Sequence, residues 1–443
     1  MAEANTAGVV EEYDLPKPRY AFGVSWRDSG RHIDIDLQCV VVDNAGVIID
    51  CAYYNNLKAV RAITHSGDET AGKPTGIQEL IWANLNKLPA HVSVLVFVVA
   101  AYSGGLLQDV QDGRLHVFEE REVNEIGVYE MERSAAGVDV VAAMVRTDVG
   151  WKMRIIEEPA EQGQHFMDIL PLLSRVIGTF LPNAPKRQKV AFAMEKGGVL
   201  DMPLGMNSIT VGLGWGVDEG EVDLDVSAVL LDQRGSVLEA VFFGHLESAE
   251  HGIVHSGDNL TGEGEGDDEQ IRVDLLHVGL VAQQVFFVVN IYSQNKTFRQ
   301  GAGRGRGVLG ARGCWRRRGS GRQVASPYCR IVEDASGSEL CRYSLSDAGS
   351  DNGLIIAKMA REVGGRWGFH ALGLPCRGRT YKDSLPQIQE AASVKTRALM
   401  LQGGAMEEMG GYADLGAFQG AARDKVVMAH PLPNAETECC SVQ

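Results

Sequence analysis

Apolar and polar positions along the chain alternate as they do in β-strands. IDIDLQCVVVD (33–43) has period two before apolar residues take over both faces, and DNAG (43–46) then turns the chain. VDLDVSAVLLD (222–232), followed by DQRG (232–235), repeats that order of events. The runs SVLVFVVAAY (93–102) and QQVFFVVNIY (283–292) are rich in β-branched and aromatic residues and predict buried central strands. Helices are expected only at QHFMDILPLLSRVIG (164–178) and LIIAKMAREVGG (354–365). Short strands with turn signals between them predict a mainly β chain built as two-sheet sandwiches with a few short helices.

The chain also repeats itself at a spacing of about 190 residues, the signature of duplicated units. Residues 22–54 match 211–243, so that Trp26 corresponds to Trp215, Asp34 to Asp223 and Asp36 to Asp225. HSGDETAG (65–72) matches HSGDNLTG (255–262), and Trp151 and Trp367 each precede a last strand and a short helical tail. The expected organisation is a flexible N-terminus (1–18), a first domain (19–185), a linker (186–204), a second domain (205–388) and a disordered tail (389–443).

Composition narrows the function. Of 443 residues, 42 are Lys or Arg and 58 are Asp or Glu, a formal net charge of −16. That balance argues against a general binder of nucleic acid or anionic membrane. The eight Cys form no CxxC pair and no zinc spacing, so they read as reduced intracellular thiols. The acidic N-terminus does not read as a signal peptide, and the apolar run Val92–Tyr102 is too short to span a bilayer, so a cytoplasmic protein is expected. Two segments break the pattern. Residues 299–323 hold eight Arg and no acid, and read as a long loop inserted into a strand context. Its alternative reading is an Arg-Gly segment that binds RNA, the only route to nucleic acid in the chain. The last four residues, Cys440-Ser441-Val442-Gln443, fit a prenylation box, with Cys439 beside it as a second lipidation candidate and hence a route to the membrane.

The chemical signal is HSGDNLTGEGEGDDEQI (255–271). Asp258, Glu263, Glu265, Asp267, Asp268 and Glu269 crowd into it, with glycines at 262, 264 and 266. A hard divalent cation neutralises such a loop, and glycines let carbonyl oxygens turn inward as further ligands. Asp223 and Asp225, two apart on a strand, point to one face and can form a second wall. The loop is not an EF-hand, since Leu260, Gly262 and Glu263 fill positions that need ligands and the turn glycine. Nor is it a phosphate cradle, since it has no Lys and its acids repel phosphate. A solvated acidic loop is the plain alternative.

On these motifs, with GLGW (212–215), VDL (273–275) and YCRIVEDASGSELCRYSL (328–345), both halves resemble the TerD-type domain of tellurium resistance and stress-response proteins. The resemblance implies a β-sandwich that binds calcium, as one or two ions in the second domain. The ligands it implies are Asp223, Asp225, Asp258, Asn259, Thr261, Gly262, Gly266, Asp267, Asp268 and Glu269. The first domain keeps Asp34, Asp36, Asp68 and Glu79, but Lys73, Ile77 and Gln78 replace three acids. It is therefore expected to be calcium-poor, with at most a weak residual site, because ligand charge sets calcium affinity.

No HExxH, GxSxG or Walker loop is present, so catalysis is not expected. The expected function is a non-enzymatic calcium-binding adaptor with an unidentified protein partner. A small-nucleotide (cAMP-like) binder, as some relatives are described, and an RNA-associated protein are the alternatives.

Overall fold

The computed structural model describes residues 12–28, 30, 32–73, 76–103, 105–120, 124–160, 162–217, 224–257, 266–291, 297–298, 323–344, 351–362 and 365–393. Each repeat is a pair of mainly antiparallel sheets. In the first, one sheet runs Glu12–Leu15, Gly150–Ala160, Val138–Thr147, Val92–Ser103, Asp34–Asp43, Ile48–Ala52. Its partner runs Asn124–Glu130, Gln111–Glu119, Arg19–Arg27, Glu79–Asn84, Ile63–His65, Lys58–Ala59. In the second repeat one sheet runs Val199–Asp201, Trp367–Cys376, Gly353–Arg361, Gln284–Ile291, Leu224–Leu231, Val237–Val241. The other runs Phe192–Met194, Ser338–Ser344, Gln323–Glu333, Ser208–Val217, Glu269–Asp274, Ile253–His255, Glu247–Ser248.

Period-two alternation fills the space between the sheets. In the first repeat Phe22, Val24, Trp26, Leu37, Phe97 and Val117 meet there, and the rings of Phe22 and Phe97 stack at 4.4 Å. The strands that lack alternation, Asp34–Asp43 and Val92–Ser103, are central and buried on both faces. The turn after Asp43 is capped by its own carboxylate, which accepts from the Ala45 and Val47 N–H groups, and Gly46 takes the left-handed conformation it needs (φ +80°).

Two local expectations change. Of the helix expected over 354–365, residues 354–361 belong instead to the strand Gly353–Arg361, whose residues from Gly353 to Ala360 are all buried. Its apolar run serves two faces at once, and periodicity alone does not separate that from a buried helix. The helix expected over 164–178 is a 3-10 turn, Phe166–Ile169, followed by an α-helix, Leu170–Phe180, with Pro171 in its first turn. A further helix, Leu385–Ser393, caps the second sandwich through Ile388 and Ala392, where the tail was expected to begin. Of the Arg-rich insert, residues 299–322 lie outside the described residues. The strands that flank it, Thr297–Phe298 and Gln323–Glu333, pair in parallel.

The segment read as a linker supplies strands to the second repeat. VAFAM (190–194) alternates, burying Val190, Phe192 and Met194, and Phe192–Met194 pairs in parallel with Cys341–Tyr343. A single apolar cluster runs from Val42, Val96 and Leu173 of the first repeat through Phe192 and Leu200 to Phe287 and Ile331 of the second.

Polar groups lock this joint. Arg366 donates to both oxygens of Asp168 at 3.0 and 2.8 Å and to the Met202 carbonyl at 2.7 Å. Asp201, wholly buried, accepts from Tyr54 Oη at 2.9 Å and from Asn55 Nδ2 at 3.0 Å, and its N–H donates to Tyr53 Oη. Burial would raise the Asp168 carboxyl, but the hydrogen bonds and charge of Arg366 outweigh it and hold it below its ordinary value. For Asp201 burial wins, helped by the charge of Glu362, and its carboxyl is pushed up to about 7.

Arg366→Ala leaves Asp168 charged without its partner in the joint. The expected cost is about 3–5 kcal/mol in urea unfolding, against a neutral effect for an exposed substitution such as Arg61→Ala. The Asp201 shift has a definite sign. Its native value lies above the unfolded one, so its contribution is complete below the ordinary carboxylate range and is lost as pH rises towards about 7. Asp201→Asn should therefore flatten the fall in melting temperature over that window, as followed by circular dichroism.

Candidate metal centre

The first repeat brings three acids together. Asp34 and Asp36 leave the strand Asp34–Asp43 on one face and are both buried, while Asp68 comes from the loop after Ile63–His65. One carboxylate oxygen of each lies within 4.8 Å of the other two. Among the described residues this is the one such group of His, Cys, Asp or Glu.

A buried His–Glu pair holds the loop to the strand. Glu79 Oε2 accepts from the Leu37 N–H at 2.8 Å, one residue beyond Asp36, and its Oε1 accepts from the Glu69 N–H at 3.1 Å, one residue beyond Asp68. The Gly67 N–H donates to His65 Nδ1 at 3.1 Å, so the ring proton sits on Nε2 and is given to the Leu37 carbonyl at 3.0 Å. His65 and Glu79 side chains are both fully buried and 3.4 Å apart. Glu79 thus clamps the two backbones that carry the acids. Gly72 lets the loop close on the end of the strand Arg19–Arg27, since a Cβ there would stand 2.6 Å from the Asp28 nitrogen. Lys73, expected to oppose a cation, forms an ion pair with Glu69 at the surface.

The second repeat shows the strand side of the same clamp. Glu269 Oε2 accepts from the Val226 N–H at 3.1 Å, His255 Nε2 lies 3.2 Å from the Val226 carbonyl, and His255 Nδ1 accepts from the Gly257 N–H at 3.0 Å. Asp225, the counterpart of Asp36, is buried beside it. Asp268 accepts from the Trp215 N–H at 2.7 Å, the role Gln78 plays for Trp26 at 2.9 Å. Burial raises the Asp268 carboxyl, with Asp267 and Glu269 adding to the effect.

Asp267 is committed elsewhere. Both its oxygens take the Arg330 guanidinium, at 2.7 and 3.0 Å, and Tyr328 Oη adds a bond at 3.0 Å and reaches the Gly266 carbonyl at 2.6 Å. It lies over Gly212, where a Cβ would collide with its carboxylate, and Ile77 lies over Gly23 in the first repeat. Tyr328 and Arg330 were not predicted as part of this region; they stand in YCRIV, a stretch with no acid to point to them. Asp223, Asp258, Asn259, Thr261 and Gly262, with Cys439 and Cys440, lie outside the described residues.

The sequence model of the TerD domain matches residues 13–167, 190–303 and 308–386. The chain belongs to the TerD domain family. It is 36% identical over 211 residues to the tellurium resistance protein TerZ of Serratia marcescens, covering 46% of this chain and 96% of that protein. It is 32% identical over 199 residues to the tellurium resistance protein TerD of an Alcaligenes species (43% and 93% covered) and to general stress protein 16U of Bacillus subtilis strain 168 (43% and 93%). A relative of that length fits within half of this chain, in keeping with its tandem TerD repeats.

If the His–Glu clamp carries the loop geometry, Glu79→Ala should cost about 3 kcal/mol, because it frees the buried Leu37 N–H and the part-buried Glu69 N–H and removes the carboxylate beside His65. Glu79→Gln, which keeps an acceptor, should cost less. Hydrogen exchange at Leu37 and Glu69 checks this directly, with both amides losing protection in Glu79→Ala and keeping most of it in Glu79→Gln.

Proposed function

We propose that this TerD-family chain is a non-enzymatic calcium-binding adaptor of the stress-response type, with a strong cation site in the second repeat and a weaker one in the first. The observation that carries this reading is the convergence of Asp34, Asp36 and Asp68 within 4.8 Å. Carboxylates are hard oxygen donors and suit a hard divalent cation. Asp34, Asp36 and Asp68 would hold the ion in the first repeat; loss of loop charge there lowers affinity but leaves these donors. In the second repeat Asp225, on its clamped strand, would act with Asp223, Asp258 and the acidic loop, where carboxylates are more numerous. A bound ion reverses a local negative field, so a surface that repels acidic partners without it can meet them with it. Asp267, held by Arg330, would shape that loop, and Glu79 and Glu269 would position the donors.

Calcium titration of the full chain by calorimetry tests this. Two binding phases are expected, the tighter lost in Asp258→Ala and the weaker lost in Asp36→Asn. A hundredfold excess over the dissociation constant should add about 2.7 kcal/mol of stability, seen as a higher melting temperature. Absence of both the heat and the thermal shift would make the acidic loops solvated surface.

A further inference from the structure

The two repeats offer the same sheet edge, extended by a further strand in one and, among the described residues, by none in the other. In the first repeat the edge strand Ile48–Ala52 is extended by the chain that follows the helix Leu170–Phe180. The Ile48 N–H donates to the Lys189 carbonyl at 2.9 Å, and the Ala191 N–H donates to the Ile48 carbonyl at 2.9 Å, a parallel bridge between Ile48 and Val190. Gln188 Nε2 adds a bond to the Gly46 carbonyl at 2.9 Å, and the exposed Arg61 meets Glu195 at 2.6 Å. Ile48 is thereby fully buried.

The counterpart edge is Val237–Val241. Val237 pairs inward with Leu231 as Ile48 does with Val42, so its outward backbone groups occupy the position that holds the added strand in the first repeat. Among the described residues no strand lies beyond it. Val237 is 36% exposed and Leu238 37%, and Phe243 (40%) and Leu246 (44%) follow on the connection. Edge strands are usually blunted by Lys or Pro, and residues 236–241 contain neither. The charge differs as well. Residues 236–255 carry Glu239, Glu247 and Glu250 and no Lys or Arg, and the turn that holds Arg61 in the first repeat is one residue longer in the second, where it holds Glu250.

We propose that the edge Val237–Val241 is a docking site for an extended, basic segment of a partner protein, which adds to the sheet in parallel at Val237. The segment resembles residues 187–194, RQKVAFAM, with apolar residues at alternate positions, but carries a cation where this chain has Glu195. Backbone bonds supply the affinity in such strand addition, and alternate side chains and charge supply the specificity.

The test uses the full chain and two fluorescent peptides, residues 186–195 and the same peptide with Glu195→Lys. Fluorescence anisotropy should show saturable binding of both, the Glu195→Lys peptide binding about threefold tighter, as an exposed ion pair allows. Glu250→Lys, an exposed change that should leave the fold intact by circular dichroism, should reverse that preference. Leu238→Asp should weaken both peptides about tenfold. No saturation of either peptide up to about 1 mM overturns the proposal. So does a preference unmoved by Glu250→Lys. A concentration-dependent dimer in sedimentation that neither peptide dissociates would assign the edge to a second copy of the chain instead.

Discussion

The arrangement at both candidate centres depends on one buried hydrogen-bonding unit, the His–Glu clamp. Glu79 and Glu269 each accept an N–H from the strand residue that follows an aspartate of the D-x-D pair, and His65 and His255 take the carbonyl of that same residue. A carboxylate in a dry interior is unfavourable unless its lone pairs are used. Here they are used on backbone groups, so the requirement of the acid becomes a restraint on the loop. That is why the clamp persists in the first repeat, where Lys73, Thr75, Ile77 and Gln78 stand in place of four acids of the loop. It is a structural need of the fold whether or not a cation is bound.

The second constraint is the joint. A sandwich can end on its own edge strands, but here the chain leaving the first repeat adds strands to the second, and one apolar cluster serves both. Equivalent positions show that this contact is specific to one pairing. Tyr53 and Tyr54, whose hydroxyls reach Val199 and Asp201, correspond to Phe242 and Phe243, which have none. Asp201 is buried, whereas its counterpart Asp14 is exposed and lies near Lys152. Arg366 precedes Trp367 where Gly150 precedes Trp151. The second repeat therefore lacks the hydroxyls, and the first lacks the arginine, needed to build the same joint again.

Much of this was legible because it is local. Period-two runs, the DNAG and DQRG turns and the duplicated HSGD placed the strands and paired the repeats. The strand Gly353–Arg361 was misread because a strand buried on both faces loses its alternation, and Lys358 and Arg361 then fall at helical spacing among apolar residues. The short strands of 190–201 were hidden by a Gly-Gly pair and a basic run that resemble a linker. At the site, the paired aspartates were visible as a spacing, but the commitment of Asp267 to Arg330 was not. That contact joins residues 63 apart in sequence through a glycine that clears the space.

The same comparison explains why one acid can be exchanged and another cannot. Position 268 asks only for an acceptor to hold the Trp215 N–H, so Gln78 serves the first repeat as well as Asp268 serves the second. Position 267 asks for whatever completes the sheet above a glycine, an Asp where Arg330 is opposite and an Ile where no such partner is used. Position 269 must accept a strand N–H in a closed interior beside a histidine, and both repeats keep Glu there. The acids of the loop are thus of two kinds. Glu269, which must accept a strand N–H in a closed interior, is retained in both copies, and those whose contact another side chain can make or replace are free to change.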